Sequence, residues 1–400
     1  MSAAATLQKP ETIRRRAVFV LPGYDPAPPR RYREIYRSEA AKQGEITGQS
    51  IGLSPVSRPA PFYGWQVSAQ QAGRSTHSAH WILPWNDLVR SSMKAGIFGI
   101  YPLALRTGWT YLKGGALWAL LRLRWQPMLA VFYPLAVLMG QVLVATAGAA
   151  LGWQLAGWAG LALGLGASLA GAEYLRRQDS RTYIYYLLHL YAFAARNMAR
   201  PNPDLARRMN ALADQVQAAL DDGVDEVLVV GHSLGAQLAT DLLGDMLRDG
   251  RLNGPGHVAL LTLGQVIPMM SFLPAAQRLR RNLRAVAASS RIFWLDVSSQ
   301  ADGGCFALAD AAAVSGVAPQ GAQNPLVISA AFADTVEGAE TQRFFARHFQ
   351  YYRAFARPEN YDYFAITAGP LPLAARYAGR KNSPQCILKP FVRVQDGPDG

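Results

Sequence analysis

Between Val224 and Gly235 the chain reads VDEVLVVGHSLG, and its hydrophobic pattern changes rule within a dozen residues. Val227 to Val230 is a continuous apolar run, the signature of a strand buried on both faces of a parallel sheet. Ala236 to Met246 then continues with helical spacing, so strand, sharp turn and helix follow without a gap. Similar units recur on both sides. Ala17 to Leu21 reads as a short strand ending in Pro22-Gly23-Tyr24-Asp25, with a helix from about Arg31 to Gln43. Tyr63 to Ala69 and His77 to Leu83 alternate apolar and polar positions around Gln71 to Ser75, which predicts a hairpin. Val258 to Leu263, Arg291 to Asp296 and Leu326 to Phe332 read as strands, and Tyr363 to Thr367 as a further short one. Helices are expected over Thr182 to Met198, Leu205 to Leu220, Gln277 to Ala288 and Arg343 to Tyr352. Strands alternating with helices predict an α/β fold with a mostly parallel sheet flanked by helices.

One segment breaks this alternation. Trp125 to Ala172 contains no charged residue. A spanning helix needs roughly 20 apolar residues, so the stretch is long enough for two, with the break expected around Gly148 to Gln154. Arg122 and Arg124 precede it, while Arg176, Arg177 and Arg181 follow. By the positive-inside rule both ends are cytoplasmic, which a transmembrane helical hairpin satisfies and a single span does not. Leu88 to Arg124, just before, reads as a long helix-compatible segment with Trp109, Tyr111, Leu112, Leu117, Trp118 and Leu121 among Lys and Arg. Such a stripe fits either a core face or an interfacial amphipathic helix. The organisation expected is therefore residues 1–124 and 176–400 as two parts of one soluble layer, with 125–175 inserted as the hairpin.

Composition narrows the partners. The 400 residues are 50% hydrophobic and only 17% charged, with a net charge of +13. From Arg30 to Arg124 there are thirteen Lys/Arg against four Asp/Glu, leading directly into the apolar segment. Anionic lipid headgroups explain that bias better than nucleic acid, for which no binding element is present. Two cysteines and six scattered histidines give no disulfide framework and no metal-ligand spacing, so no metal or cofactor is expected. No apolar h-region follows a basic one at the start of the chain, and no cleaved signal peptide is expected.

The chemistry concentrates at Gly231-His232-Ser233-Leu234-Gly235, which fits G-x-S-x-G between strand and helix, the context of a nucleophile elbow. The Pro22-Gly23-Tyr24 loop after the first strand is where a second oxyanion donor would stand, or else a plain turn. Together with acidic residues after later strands and a histidine near the end, these features resemble the α/β-hydrolase superfamily, more loosely its lipase and esterase branches. The resemblance implies the order Ser, acid, His. Ser233 would be the nucleophile and His348 the base, His348 being favoured also by elimination, since His257 begins a strand. Asp302 and Asp296 both follow the right strand. Asp302, in a Gly-bearing loop, has more freedom to reach the imidazole, while Asp296 could instead brace that loop. Backbone N–H groups of Leu234 and Tyr24, with Gly23 keeping the approach open, would form the oxyanion hole. His348 falls inside an expected helix, where the superfamily carries a loop residue, and His232 is expected to point away from the nucleophile. The function implied is a membrane-anchored serine hydrolase acting on a carboxylic ester, with a hydrophobic or lipid ester the natural substrate. Acyl transfer from the same acyl-enzyme, and a non-catalytic membrane scaffold, are the competing functions.

Overall fold

The computed structural model describes residues 11–56, 62–332 and 344–392. Eight strands, β1 (Arg15–Leu21), β2 (Ser50–Pro55), β3 (Tyr63–Gln71), β4 (Arg74–Ile82), β5 (Glu226–His232), β6 (His257–Leu263), β7 (Ile292–Ser298) and β8 (Leu326–Ser329), form one mixed sheet. Its order is β2–β3–β4–β1–β5–β6–β7–β8. The pairs β2–β3 and β3–β4 are antiparallel, and from β4 through β1 to β8 each neighbouring pair is parallel. All seven residues of β5 are buried, which is why that strand reads as an unbroken apolar run. Its side chains alternate between two cores. Val227 and Val229 join Phe19, Leu260 and Trp294 on one face, while Leu228 and Val230 join Val18, Trp65 and Leu261 on the other.

Three local expectations change. The hairpin turn is not five residues but Ala72-Gly73 alone, with φ of 49° and 75°. Two successive positive φ values are the sign of a I′-type turn, whose twist suits adjacent strands. Tyr363–Ala368 is a helix rather than a strand, because the Asp362 carboxylate accepts the free N–H groups of Phe364 and Ala365 and starts a helical turn. The expected continuous segment from Leu88 is three helices, α2 (Asn86–Ser92), α3 (Ile97–Lys113) and α4 (Ala116–Leu123), following α1 (Arg30–Thr47). Gly115, with φ 69°, makes the break between α3 and α4.

Next come α5 (Gln126–Arg177), α6 (Asp179–Thr182), α7 (Ile184–Ala199), α8 (Pro203–Asp221) and α9 (Leu234–Arg248). Helix α5 is long and apolar enough to cross a membrane, with mean hydropathy 2.1 over an 18-residue window that is only 22% buried. Its backbone leaves helical geometry at Ala156 and Gly157, a few residues beyond the expected break. Glycines on either side of that point meet. A Cβ on Gly152 would fall 2.1 Å from the Gly160 carbonyl oxygen, and one on Gly164 2.2 Å from that of Gly148. In a straight helix Gly148 and Gly164 would stand about 24 Å apart along the axis, so α5 does not run straight through. Tyr101 of α3 donates to the Gln141 side chain at 2.9 Å, and Gln141 donates to the Tyr185 hydroxyl at 3.1 Å, tying the start of α5 to α3 and α7.

Candidate active site

Parallel strands deliver their following loops to one edge of the sheet, and the candidate residues gather there. Ser233 sits between β5 and α9 with φ 56° and ψ −121°. A residue with a Cβ in that region stores about 1–3 kcal/mol of strain. The flanking glycines permit the turn. A Cβ on Gly235 would lie 2.0 Å from the carbonyl oxygen of Leu21 at the end of β1, and one on Gly231 would lie 2.6 Å from Ala236 Cα. The Ser233 N–H donates to Leu263 O at 2.9 Å, fastening the turn to the end of β6.

The loop after β1 passes directly over this serine. A Cβ on Gly23 would approach Ser233 Cβ to 3.0 Å and the His232 carbonyl oxygen to 3.2 Å, so a side chain there would crowd the turn that carries Ser233. Asp25 organises the loop, accepting from Ala27 N–H at 2.8 Å and from the Tyr32 hydroxyl at 2.9 Å. Tyr24 is buried against Trp85, Tyr186 and Phe193, and its carbonyl accepts from the Tyr186 hydroxyl at 2.6 Å. Neither the Tyr24 N–H nor the Leu234 N–H has a protein acceptor among the described residues.

Asp302 and His348, 46 residues apart, meet at this edge. His348 Nδ1 lies 2.9 Å and 3.1 Å from the two Asp302 carboxylate oxygens. Asp302 also accepts from Gly304 N–H at 2.9 Å and from the Tyr351 hydroxyl at 3.0 Å. Burial alone would raise its pKa, but the His348 imidazole and these donors together hold it below the usual carboxylate value. Gly304 is a packing requirement, since a Cβ there would come within 3.0 Å of His348 Nδ1. His348 is not mid-helix. It is the last residue of the short helix Phe344–His348, and a 3₁₀ turn, Gln350–Tyr352, follows. With Nδ1 engaged by the carboxylate, Nε2 is the nitrogen left for proton transfer.

Asp296 is elsewhere. It lies inside β7 rather than at its end, accepts from the Thr262 hydroxyl, and is buried beneath the site. Burial pushes its pKa up to about 7, partly offset by Thr262 and reinforced by Asp310. It does not brace the Asp302 loop. Sequence reasoning missed two residues that hold the pair in place. His232, expected to point away, packs its ring 4.8 Å from that of His348 and donates from Nε2 to the His348 carbonyl at 2.7 Å. Burial lowers its pKa to about 3, so it is a neutral, fixed donor. Tyr351 bridges Asp302 and the Ser299 N–H, the latter at 3.0 Å. The only signals for these two were adjacency to Ser233 and a spacing of three from His348. Among the described residues no group of three or more His, Cys, Asp or Glu could hold a metal ion. What the edge offers is a strained serine, an imidazole oriented by a buried carboxylate, and two free backbone donors. Compared with protein-family models, with curated proteins and with solved structures, the chain shows no match.

Proposed function

We propose that the protein is a membrane-anchored serine hydrolase that cleaves a carboxylic ester through an acyl-enzyme. The observation that carries this reading is the Asp302–His348 pair standing at the sheet edge where Ser233 occupies its strained turn. His348 Nε2 takes the Ser233 proton as Oγ attacks the acyl carbon, then delivers that proton to the leaving alcohol. Water, activated by the same nitrogen, adds to the acyl-enzyme and releases the acid. Asp302 fixes the tautomer and stabilises the imidazolium, and the N–H groups of Leu234 and Tyr24 receive the oxyanion. The Gly23 loop on β1, beside β5, supports the α/β-hydrolase resemblance. The glycine contacts across Ala156–Gly157 support reading α5 as a hairpin that crosses the bilayer twice, with its Arg-flanked ends and the soluble layer cytoplasmic.

A fluorophosphonate probe tests the catalyst. Labelling of the native chain that disappears in a folded Ser233→Ala variant is expected; an unlabelled native protein would leave a membrane scaffold as the function. Alkaline carbonate extraction tests the anchor, since a peripheral protein would be released.

A further inference from the structure

Helix α3 is apolar on two opposite sides. Ile100, Ala104 and Tyr111 are buried against the protein. Phe98, Leu105, Trp109 and Leu112 are 79%, 75%, 64% and 46% exposed. At roughly 100° per residue these four fall within about 60° of each other, on the side away from the buried three. The surface continues through Trp118 on α4, 60% exposed, to Trp125 at the start of α5, 61% exposed. A patch of this kind on a folded protein is normally covered by something.

Charge and continuity indicate what covers it. Between Leu88 and Ala172 there is no Asp or Glu, while Arg90, Lys94, Arg106, Lys113 and Arg122 are all exposed. The nearest preceding carboxylate, Asp87, is paired with Arg208 at 2.6 Å. Helix α4 leads through Trp125 straight into α5. We propose that the outer face of α3 and α4 is a membrane-docking surface. It lies in the headgroup layer of an anionic leaflet, with the Phe98–Leu105–Trp109–Leu112 stripe toward the acyl chains and the cations at the level of the phosphates. The proposal rests on reading α5 as membrane-spanning, which puts its neighbours at the bilayer surface.

Docking there fixes which side of the sheet meets the lipid. Gly114 abuts Pro274 beyond β6, so closely that a Cβ would come 2.6 Å from the proline Cδ. Arg124 donates to the Ala307 carbonyl at 2.5 Å, in the segment after β7 that carries Asp302. Tyr186 of α7 holds the Tyr24 carbonyl after β1. These anchors all lie beyond the ends of parallel strands, so the shelf and Ser233 share one edge.

The test uses the full chain with Cys386→Ser, which leaves only the buried Cys305, in phosphatidylcholine vesicles with and without phosphatidylserine. A fluorophore is attached at Leu105→Cys, Trp109→Cys or, as an off-stripe control, Thr110→Cys. Lipid-borne nitroxide should quench the two stripe positions about fivefold more than aqueous iodide does, with the preference reversed at position 110. Replacing Lys94, Arg106, Lys113 and Arg122 with Gln should abolish the gain in lipid quenching that phosphatidylserine brings. Iodide reaching the stripe as readily as position 110 would overturn the proposal, as would protection from both quenchers with cross-linking between copies, which would make the occupant a second chain. A phosphatidylserine response unchanged by the Gln variant would overturn the anionic assignment. Release by alkaline carbonate would remove the reading of α5 itself; retention with iodide-accessible stripe positions would remove the docking proposal alone.

Discussion

The two candidate aspartates, Asp296 within β7 and Asp302 beyond it, give opposite predictions. Asp302 accepts from His348 Nδ1, Gly304 N–H and Tyr351 O–H, all hydrogens pointing at two carboxylate oxygens. In Asp302→Asn one oxygen becomes an NH2 group, so in either orientation a donor faces a donor. With the amide nitrogen toward His348, Nδ1 must accept, the ring proton moves to Nε2, and the base proposed for Ser233 is gone. A wrong tautomer of this kind costs on the order of 10⁴ in kcat, or about 5.5 kcal/mol of transition-state stabilisation. One donor left unpaired adds about 1–3 kcal/mol of lost stability. Asp296→Asn should keep kcat within about threefold, because that carboxyl touches none of the catalytic groups. Its effect is on stability. In the folded protein burial pushes the Asp296 carboxyl up to about 7 from the ordinary 3.8. The native state therefore holds a proton that the unfolded chain has released, and stability falls as pH rises from about 4 to 7. Asn removes that loss, so between about pH 5 and pH 8 the variant should gain on the native protein by on the order of 3 kcal/mol. Turnover of a soluble ester and denaturant melts at the two pH values read both effects. Loss of turnover in Asp296→Asn with Asp302→Asn active would refute the assignment.

Three further outcomes follow from the geometry. Ser233→Gly should be about 1 kcal/mol more stable than Ser233→Ala, because only glycine relaxes at φ 56°; equal melting curves would remove the strain argument. His232→Phe keeps the ring contacts but loses the donor to the His348 carbonyl, so kcat should fall about tenfold with KM within about twofold, and a parallel rise in KM would contradict a positioning role. A Cβ on Gly148 would stand 3.3 Å from Ser168 Oγ, so Gly148→Cys with Ser168→Cys should cross-link, and adding Gly152→Leu should prevent it by forcing the helix arms apart at Gly160.

The strand, turn and helix around Ser233 were legible because they are local: a buried strand, two glycines and a helix within one stretch of chain, each with a steric reason that the Leu21 and Ala236 contacts make explicit. The choice between Asp296 and Asp302 was not local. It depends on how the loop beyond Ser298 curls toward a histidine 46 residues later, and on β7 extending two residues past Asp296, which buries that carboxyl within the sheet. Tyr363 to Thr367 looked like a strand because aromatic and β-branched residues favour one, but a single cap at Asp362 outweighed propensity. The break in α5, expected around Gly148 to Gln154, was placed a little early because glycines recur throughout the segment. It falls at Gly157, whose φ of 57° and ψ of −134° suit a residue without a Cβ. The contact of His232 with His348 was not legible because it holds a backbone carbonyl brought in from far along the chain.

The position of β1 between β4 and β5 also sets an order of events during synthesis. Arg16 and its partner Glu226 are 210 residues apart, and α5 lies between them. At about 5–20 residues per second, the ribosome takes roughly 10–40 s to cover that interval. Throughout it, one edge of an apolar strand waits without its neighbour, while α5 has already emerged. Strand β5, which leads into the Ser233 turn, is thus the piece that covers that edge, and it arrives after α5. On the proposed function Ser233, Asp302 and His348 all follow α5, so catalytic competence would be acquired after anchoring, and a chain stalled before that point would expose an open strand edge.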